Sequence, residues 1–214
     1  MRVLLAVPTY GPNYPEAQKA IRRSVMFAAN NGITWVDDVS PDRESWRVGR
    51  NHVLSDALYY DVDGVLWCDD DMLPEPRTFY MLLDNARERQ ANIMSALCFS
   101  RRPPYTACAW TEDPFTPLTN YAAGITMVDG VGFGCVYTSK LVLKTVGGFN
   151  HPQDIDEDRY FCQQARKCGF PSWVDTHQRA GHLGGHVIID EKIALMEQGR
   201  YSASPTLPPD KDPR

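Results

Sequence analysis

Val65-Leu66-Trp67-Cys68-Asp69-Asp70-Asp71 is the stretch that decides the fold of this chain. Its first four residues are apolar and follow an Asp63-Gly64 turn, a pattern typical of a strand buried on both faces of a parallel sheet. Three carboxylates come directly after that strand. Because open α/β sheets bind ligands at the carboxyl ends of their strands, this edge of the sheet is the candidate functional site.

The segments around this strand alternate between strand and helix patterns. Short apolar runs predict strands, and apolar stripes at helical spacing predict helices. In chain order these elements are a strand at 3–7, a helix at 16–31, a strand at 33–36, a helix at 50–60, a strand at 65–68, a helix at 77–90 and a strand at 93–99. This βαβαβαβ order predicts an α/β protein with a Rossmann-like, mostly parallel central sheet flanked by helices.

The pattern is less regular after residue 100. The proline-rich segment 101–118 predicts a loop or an irregular strand pair, and 125–138 predicts a strand interrupted by glycines. Further expected elements are helices at 139–146 and 157–168 and a short strand at 172–175. Four prolines in 201–214 predict a loosely packed carboxyl-terminal tail.

Composition excludes several classes of protein. Of 214 residues, 43% are hydrophobic and 23% are charged, so a disordered chain is excluded. A net charge of −5 argues against a protein that coats nucleic acid. No apolar run reaches the roughly 18 residues of a membrane span, and the run at 3–7 is too short for a secretory signal. Six scattered cysteines without a CxxC pair indicate a reduced, cytoplasmic protein whose thiols fill the core.

The three adjacent carboxylates at 69–71 repel one another, so the cluster is costly unless a cation or hydrogen-bond donors neutralise it. Asp69 and Asp71 are two residues apart and would point the same way in extended backbone. Hard oxygen ligands of this kind suit Mg²⁺ or Mn²⁺, which also hold diphosphates. The alternative interpretation is a solvated acidic turn that caps the following helix.

The segment 65–74 resembles the DxD segment of nucleotide-sugar-dependent glycosyltransferases of the GT-A fold, particularly family 2-like members. Further segments resemble motifs of that family in the expected order: 7–10, 36–42, 49–51, 131–135, 156–158 and 174–184. Within 36–42, Val39 stands where the family has a glycine, and Pro41 stands where it has a threonine.

The resemblance covers about residues 1–190 and implies a single GT-A domain at 1–200. It divides that domain into a nucleotide-binding half at 1–100 and a half at 101–200 that completes the acceptor and metal sites.

The donor-binding candidates combine the resemblance with side-chain chemistry. The resemblance implies that the end of the first strand contacts the nucleobase, and that Asp69 binds ribose hydroxyls or the metal. Arg47 and Arg50 are expected to meet phosphates, because a guanidinium matches phosphate oxygens bidentately and Arg50 would precede a helix. The alternative for both is an ordinary surface arginine. The full set is Pro8, Thr9, Tyr10, Asp38, Arg47, Arg50, Asn51, Asp69, Asp70 and Gly132.

The expected metal ligands are Asp69, Asp71 and His182. A divalent cation, Mn²⁺ or Mg²⁺, would stabilise the leaving diphosphate as a Lewis acid. His182 lies in a glycine-rich setting that lets the backbone pack close to a ligand. His186 is the rival ligand and His177 a weaker one, and the alternative for His182 is a histidine satisfied within a turn.

Asp158 is the candidate general base, and Glu157 is the alternative. The first turn of the helix expected at 157–168 carries partial positive charge, which would keep Asp158 ionised and able to accept a proton from an acceptor hydroxyl. The competing interpretation is an ordinary acidic helix start, since acidic residues favour that position.

These assignments predict a metal-dependent glycosyltransferase that moves a hexosyl or pentosyl group from a nucleotide diphosphate sugar, with a UDP-sugar favoured, to an acceptor hydroxyl. A single carboxylate base suggests direct displacement with inversion. The acceptor is a glycan, a lipid head group, a protein or a modified nucleic acid, and the oligomeric state is not indicated. The alternatives are another divalent-metal enzyme acting on phosphates, such as a nucleotidyltransferase or nuclease, and a non-catalytic module that binds nucleotides or carbohydrates.

Overall fold

The computed structural model describes residues 1–9, 14–39, 45–112, 115–150, 152, 155–184 and 187–199. The helices are α1 (Pro15–Asn30), α2 (Trp46–Tyr59), α3 (Thr78–Arg89), α4 (Lys140–Val146), α5 (Glu157–Lys167) and α6 (Glu191–Glu197). The strands are β1 (Arg2–Ala6), β2 (Thr34–Val39), β3 (Gly64–Cys68), β4 (Met72–Pro74), β5 (Ile93–Leu97), β6 (Ala109–Glu112), β7 (Phe115–Pro117), β8 (Ile125–Val128), β9 (Gly130–Val131), β10 (Cys135–Ser139), β11 (Ser172–Gly184) and β12 (Val187–Ile189). Across the described part of the chain, no helix is both long enough and apolar enough to cross a membrane.

The central sheet has the strand order β12-β11-β5-β10-β3-β1-β2. Strands β2, β1, β3, β5 and β11 run in one direction, and β10 lies antiparallel between β3 and β5. Strands β4, β8 and β12 each pair antiparallel with the long strand β11, while β7, β6 and β9 form a separate sheet. The predicted α/β fold, with a mostly parallel central sheet flanked by helices, is confirmed.

Alternate residues of the central strands enter two hydrophobic cores, one on each face of the sheet. In β3, Val65 and Trp67 belong to the core that also takes residues of α2, α4 and α5, whereas Leu66 and Cys68 belong to the core shared with α1 and α3. Every residue of β3 is buried, which explains why its sequence is continuously apolar. Because both faces of β3 are packed, residues 69–71 leave the sheet at a fixed point.

Several boundaries differ from the sequence patterns. Helix α2 begins at Trp46, so Arg50 lies within the helix, and the prediction that it precedes one is wrong. Strand β11 continues to Gly184, past its predicted end at residue 175, because its later part pairs with β4 and β12. Strands β4 and β12 have three residues each, too few to show a period in the sequence. The predicted tail at 201–214 lies outside the described residues.

Candidate functional site

A cavity of about 280 Å³ opens at the carboxyl ends of β3 and β5, beside the amino-terminal end of α5. Six of the site residues predicted from the sequence line this cavity: Arg50, Asp69, Gly132, Glu157, Asp158 and His182. Its wall also contains Cys98 and Cys108. The fold therefore brings members of the donor, metal and base sets into one space.

The acidic cluster forms a tight turn between β3 and β4. The Met72 N–H donates to the Asp69 carbonyl oxygen at 3.1 Å and closes this turn. The expectation of extended backbone at 69–71 is therefore wrong. The Leu183 N–H donates to the Asp71 carbonyl oxygen at 2.9 Å, which attaches the turn to β11.

Asp71 and His182 form the centre of one group of contacts. Nε2 of His182 lies 3.2 Å from Oδ2 of Asp71, and Nδ1 lies 2.9 Å from the carbonyl oxygen of Phe99. A carbonyl oxygen can accept a hydrogen bond but cannot donate one, so Nδ1 carries the hydrogen and Nε2 faces the carboxylate. Nη1 of Arg101 donates to the same carboxylate oxygen at 2.7 Å.

These contacts shift the pKa values of both groups. Burial by itself would lower the pKa of His182, but its hydrogen bond with Asp71 prevails and raises the pKa. Burial by itself would raise the pKa of Asp71, but the hydrogen bond from His182 and the charge of Arg101 hold the pKa below its usual value. Both shifts favour the charged forms, a protonated imidazole beside an ionised carboxylate.

Arg50 lies beneath the cavity with a side chain that is only 3% exposed. Its guanidinium contacts Oδ1 of Asp69 and Oε1 of Glu157, each at 3.3 Å. The same group lies over the rings of Trp67 and Phe133, at 5.6 Å and 5.3 Å from their centroids. Arg50 thus joins the β3 turn to α5 by pairing with carboxylates, whereas the sequence predicted a phosphate contact.

The first turn of α5 positions the candidate base. Asp156 is the N-cap, and the Arg159 N–H donates to Oδ1 of Asp158 at 2.6 Å. Nε and Nη2 of Arg159 donate to the carboxylate of Glu112 at 3.2 and 3.3 Å, which attaches this turn to β6. These contacts hold the start of α5 against the cavity wall.

The Asp158 carboxyl has a perturbed pKa. Burial and the neighbouring charge of Glu157 raise the pKa of Asp158 to about 7, against the opposing effect of Arg50. Burial likewise raises the pKa of Asp69 to about 6 although Arg50 opposes it. Burial thus opposes the ionisation of Asp158 that the helix end is predicted to favour.

Gly132 lies close to the candidate base. A Cβ at this position would lie 3.1 Å from Cβ of Cys108 and 3.5 Å from Oδ2 of Asp158. The Gly132 N–H donates to the Cys108 carbonyl oxygen at 2.8 Å. A side chain here would therefore occupy space beside the candidate base.

Among the donor candidates whose side chains the structure describes, Pro8, Thr9, Arg47, Asn51 and Asp70 do not line this cavity. Pro8 is buried and Thr9 half-buried just beyond β1, and Asp38 pairs across the sheet with Leu5. Arg47 is exposed in the first turn of α2, and Asp70 occupies the acidic turn. The position of Tyr10 lies outside the described residues.

Asn51 and His177 have structural contacts of their own. Oδ1 of Asn51 accepts the Phe149 N–H at 2.9 Å, which holds the loop after α4. His177 is 62% exposed and lies 3.9 Å from Asp175. The rival ligand His186 lies outside the described residues.

Sequence reasoning missed Arg101 and the two cavity cysteines. Arg101 follows β5 at the same sheet edge as the acidic turn, and that position was the available signal. Cys98 and Cys108 were assigned to core packing, because an isolated cysteine in an apolar run does not reveal its neighbour across a hairpin.

Comparisons with known proteins give the fold and no family. No protein-family model matches the chain, and no curated protein matches its sequence. The crystal structure of A197 from STIV is similar with a TM-score of 0.59 and 18% identity, covering 89% of this chain and 94% of that one. Apo UDP-glucose pyrophosphorylase is similar with a TM-score of 0.56 and 8% identity, covering 86% and 93%.

UDP-glucose pyrophosphorylase complexed with UDP-glucose is similar with a TM-score of 0.55 and 9% identity, covering 93% of this chain and 95% of that one. At these identities the likeness concerns the fold, and it agrees with the α/β architecture described above.

Proposed function

We propose that this chain is a metal-dependent glycosyltransferase that uses a nucleotide diphosphate sugar and inverts the sugar's anomeric centre. The observation that carries the proposal is the shared cavity, in which His182 of the Asp71–His182 pair and the half-buried carboxyl of Asp158 both line the wall. His182 with Asp71 offers ligands for a cation, and Asp158 offers a base whose pKa is raised to about 7. A base with a pKa near the working pH is the most effective one for removing a proton from a hydroxyl.

The residues at the acidic turn fit a divalent cation. The 3.2 Å between Nε2 of His182 and Oδ2 of Asp71 is about the spacing of adjacent ligands around a six-coordinate ion with bonds near 2.1 Å. The Phe99 carbonyl fixes the tautomer that leaves Nε2 available, as in metal-binding histidines. Bound Mn²⁺ or Mg²⁺ would supply Lewis-acid stabilisation of the departing diphosphate.

The donor itself would complete the coordination of that ion. Within the ranges that the structure describes, no group of three or more ligating side chains is present. Phosphate oxygens and water are therefore proposed as the remaining ligands. Asp69 is the weaker ligand candidate, because its Oδ1 is paired with Arg50.

A UDP-sugar is the proposed donor, in keeping with the UDP-glucose of one structure of similar fold. Its nucleoside is assigned to the end of β1, at Pro8 and Thr9, with Asp38 beside it on β2. The proposal includes a cytoplasmic location, which rests on the scattered cysteines of the sequence.

Asp158 performs the proton transfer in the proposed reaction. In its ionised form it accepts the proton of an acceptor hydroxyl while the hydroxyl oxygen bonds to the anomeric carbon. The bond from that carbon to the diphosphate oxygen breaks, and the nucleoside diphosphate leaves from the opposite side. Arg50 stays beneath the site and offsets the charges of Asp69 and Glu157, so that the acidic groups can lie together.

A nucleotidyltransferase is the second candidate, because two solved structures of similar fold are named UDP-glucose pyrophosphorylase. When a nucleotidyl group is transferred to a phosphate, the attacking oxygen is already ionised at neutral pH and needs no base. The raised pKa of Asp158 therefore favours a hydroxyl acceptor over a phosphate.

Thermal unfolding with UDP, with and without Mn²⁺, tests the metal and donor assignments. A ligand that binds the folded state raises the midpoint, so UDP with Mn²⁺ should stabilise the wild type. Asp71→Ala and His182→Ala should abolish the Mn²⁺-dependent part of that shift, whereas Asp61→Ala, at a carboxylate 95% exposed on the surface, should retain it. An unchanged shift in Asp71→Ala contradicts the assignment, and a loss in His186→Ala instead of His182→Ala moves the ligand to His186.

A further inference from the structure

Two pairs of cysteines lie directly opposite each other on neighbouring strands. Cys98 and Cys108 flank an antiparallel bridge, and the Cys108 N–H donates to the Cys98 carbonyl oxygen at 2.9 Å. Cys68 of β3 faces Cys135 of β10. Opposed residues in an antiparallel ladder have Cα atoms about 4.5–5.5 Å apart, which is within the range that a disulfide requires.

The two pairs differ in their access to the cavity. Cys98 and Cys108 line its wall beside Asp158 and His182, and Cys108 is half-buried. Cys68 and Cys135 are 0% exposed within the central sheet. A small molecule in the cavity therefore reaches the first pair, while strands and core side chains separate the second pair from solvent.

The first pair is also chemically polarised. The thiols of Cys98 and Cys108 hydrogen-bond to each other, and this bond lowers the pKa of Cys108 while it raises that of Cys98. The thiolate is the reactive form of cysteine. Cys108 is half-buried whereas Cys98 is buried, so Cys108 is the thiol that meets an oxidant in the cavity first. The thiol of Cys98 already contacts Cys108 and can react with the oxidised form of Cys108 to make a disulfide.

We propose that Cys98 and Cys108 are a covalent modification site, a dithiol that a peroxide oxidises to a disulfide in the cavity wall. The Cys108 thiolate attacks a peroxide oxygen, the O–O bond breaks, and the released hydroxide takes a proton to become water. Cys98 then loses its proton and attacks Sγ of the Cys108 sulfenic acid, forming the S–S bond and releasing a second water. Two electrons pass from the dithiol to the peroxide.

The disulfide would join the two ends of the segment 99–107. That segment contains Arg101, whose guanidinium contacts Asp71 at 2.7 Å. Oxidation would therefore restrain the hairpin that carries Arg101, whose guanidinium pairs with Asp71 of the acidic turn. The modification stands whether or not the chain is a glycosyltransferase.

The experiment treats the full chain with hydrogen peroxide, blocks the remaining thiols under denaturing conditions and maps the tryptic peptides by mass. Cys168 is exposed, so Cys168→Ser serves as the background and removes disulfides between molecules. Trypsin cleaves after Arg101, which separates the peptides of Cys98 and Cys108 unless a disulfide joins them. Cys108 and Cys135 lie on one tryptic peptide, 102–140, so fragmentation of the joined peptides identifies the bonded cysteine. We expect a joined pair of peptides, a loss of two blockable thiols, and recovery of both thiols with dithiothreitol.

Matched variants distinguish the cavity pair from the buried pair. Cys108→Ala should abolish the loss of two thiols, and Cys135→Ala should leave that loss unchanged. The inference is overturned if Cys98 and Cys108 stay reduced, if Cys68 and Cys135 join equally fast, or if Cys108 goes directly to an irreversible acid. Should a variant fail to fold, the peptide map of the Cys168→Ser background still decides between these outcomes.

Discussion

At the residue scale, Asp158 shows how location changes chemistry. An ordinary aspartate is fully ionised at neutral pH and is a poor base. Burial beside Glu157 raises the pKa of Asp158 to about 7, and Arg50 prevents a larger rise. The sequence identified the residue through its place in an acidic helix start, but the perturbed pKa depends on the cavity.

Replacing Asp158 with asparagine should separate chemistry from binding. Asp158→Asn keeps the size of the side chain and removes the basic oxygen, so turnover should fall about 10²–10⁴-fold while donor affinity changes only a few-fold. Calorimetry for the donor and release of UDP measure the two quantities. Asp190→Asn, at the acidic N-cap of α6, is the control and should turn over normally. Normal turnover in Asp158→Asn together with a loss in Glu157→Gln would transfer the role of base to Glu157.

The pH dependence should follow the ionisation of Asp158. Because the base acts when deprotonated, kcat/KM should rise with pH to a plateau, with a midpoint near the pKa of about 7. Glu157→Gln removes a charge that raises this pKa, so the midpoint should move to lower pH. A profile that falls across this range, or one that Glu157→Gln leaves in place, is incompatible with Asp158 as the base.

At the element scale, strands β3 and β10 meet at a contact that admits no side chain. A Cβ on Gly64 would lie 2.2 Å from the carbonyl oxygen of Thr138 and 2.6 Å from the ring of Tyr137. Strand β3, which leads into the acidic turn, is therefore positioned by close contact with the backbone of β10. Gly132, in contrast, faces side chains in the cavity.

The two glycines should respond differently to alanine. Gly64→Ala should lower the free energy of unfolding by about 2 kcal/mol or more, since backbone must move to make room. Gly132→Ala should cost less stability and lower turnover, because its methyl group enters the space next to Asp158. Denaturant unfolding and UDP release distinguish them. Equal loss of stability in both variants would mean that Gly132 has a packing role instead.

The sequence predicted the elements whose patterns are local. The all-apolar run 65–68 and the stripe of α3 are such cases. The antiparallel direction of β10 was not predictable, because periodicity gives burial and not direction. The turn at 69–71 is only the alternative interpretation of the sequence, as a cap for a helix. Its connection to β4 was not predictable, because that strand is too short to show a pattern.

The site was predictable in its members but not in its contacts. Asp71 and His182 are 111 residues apart, and no spacing rule joins them, so the family resemblance brought them together. Arg50 was identified by the same resemblance, but its pairing with Asp69 and Glu157 needs the three-dimensional packing of α2. Arg101 had no matching motif and was found in the structure alone.

At the scale of the whole molecule, the cavity reduces stability at neutral pH. Folding raises the pKa of Asp69 to about 6 and that of Asp158 to about 7. Between about pH 4 and pH 7 the folded state therefore binds more protons than the unfolded state, and the free energy of unfolding falls as pH rises. The physical cause is the free-energy cost of holding ionised carboxylates where solvent is largely excluded.

Removing one of these acids should stabilise the protein. Asp158→Asn should raise the free energy of unfolding at pH 8 by about 2 kcal/mol, and the gain should be largely lost at about pH 3, where most of the carboxyl is protonated in both states. Denaturant melts at the two pH values measure the difference, with Asp190→Asn as the control. A gain of equal size at both pH values would attribute the effect to packing and not to ionisation.

Locating the bond that breaks in the donor, by isotope labelling, tests the central proposal most directly. The wild type is incubated with Mn²⁺ and UDP-glucose in ¹⁸O-labelled water, with further nucleoside diphosphate sugars run in parallel, so that water replaces the unidentified acceptor. A glycosyltransferase breaks the bond at the anomeric carbon, so we predict UDP without label and free sugar carrying ¹⁸O, released first as the inverted anomer and greatly slowed in Asp158→Asn. Sugar 1-phosphate with labelled UMP, or UTP and sugar 1-phosphate on addition of pyrophosphate, would place the reaction at phosphorus and contradict the account.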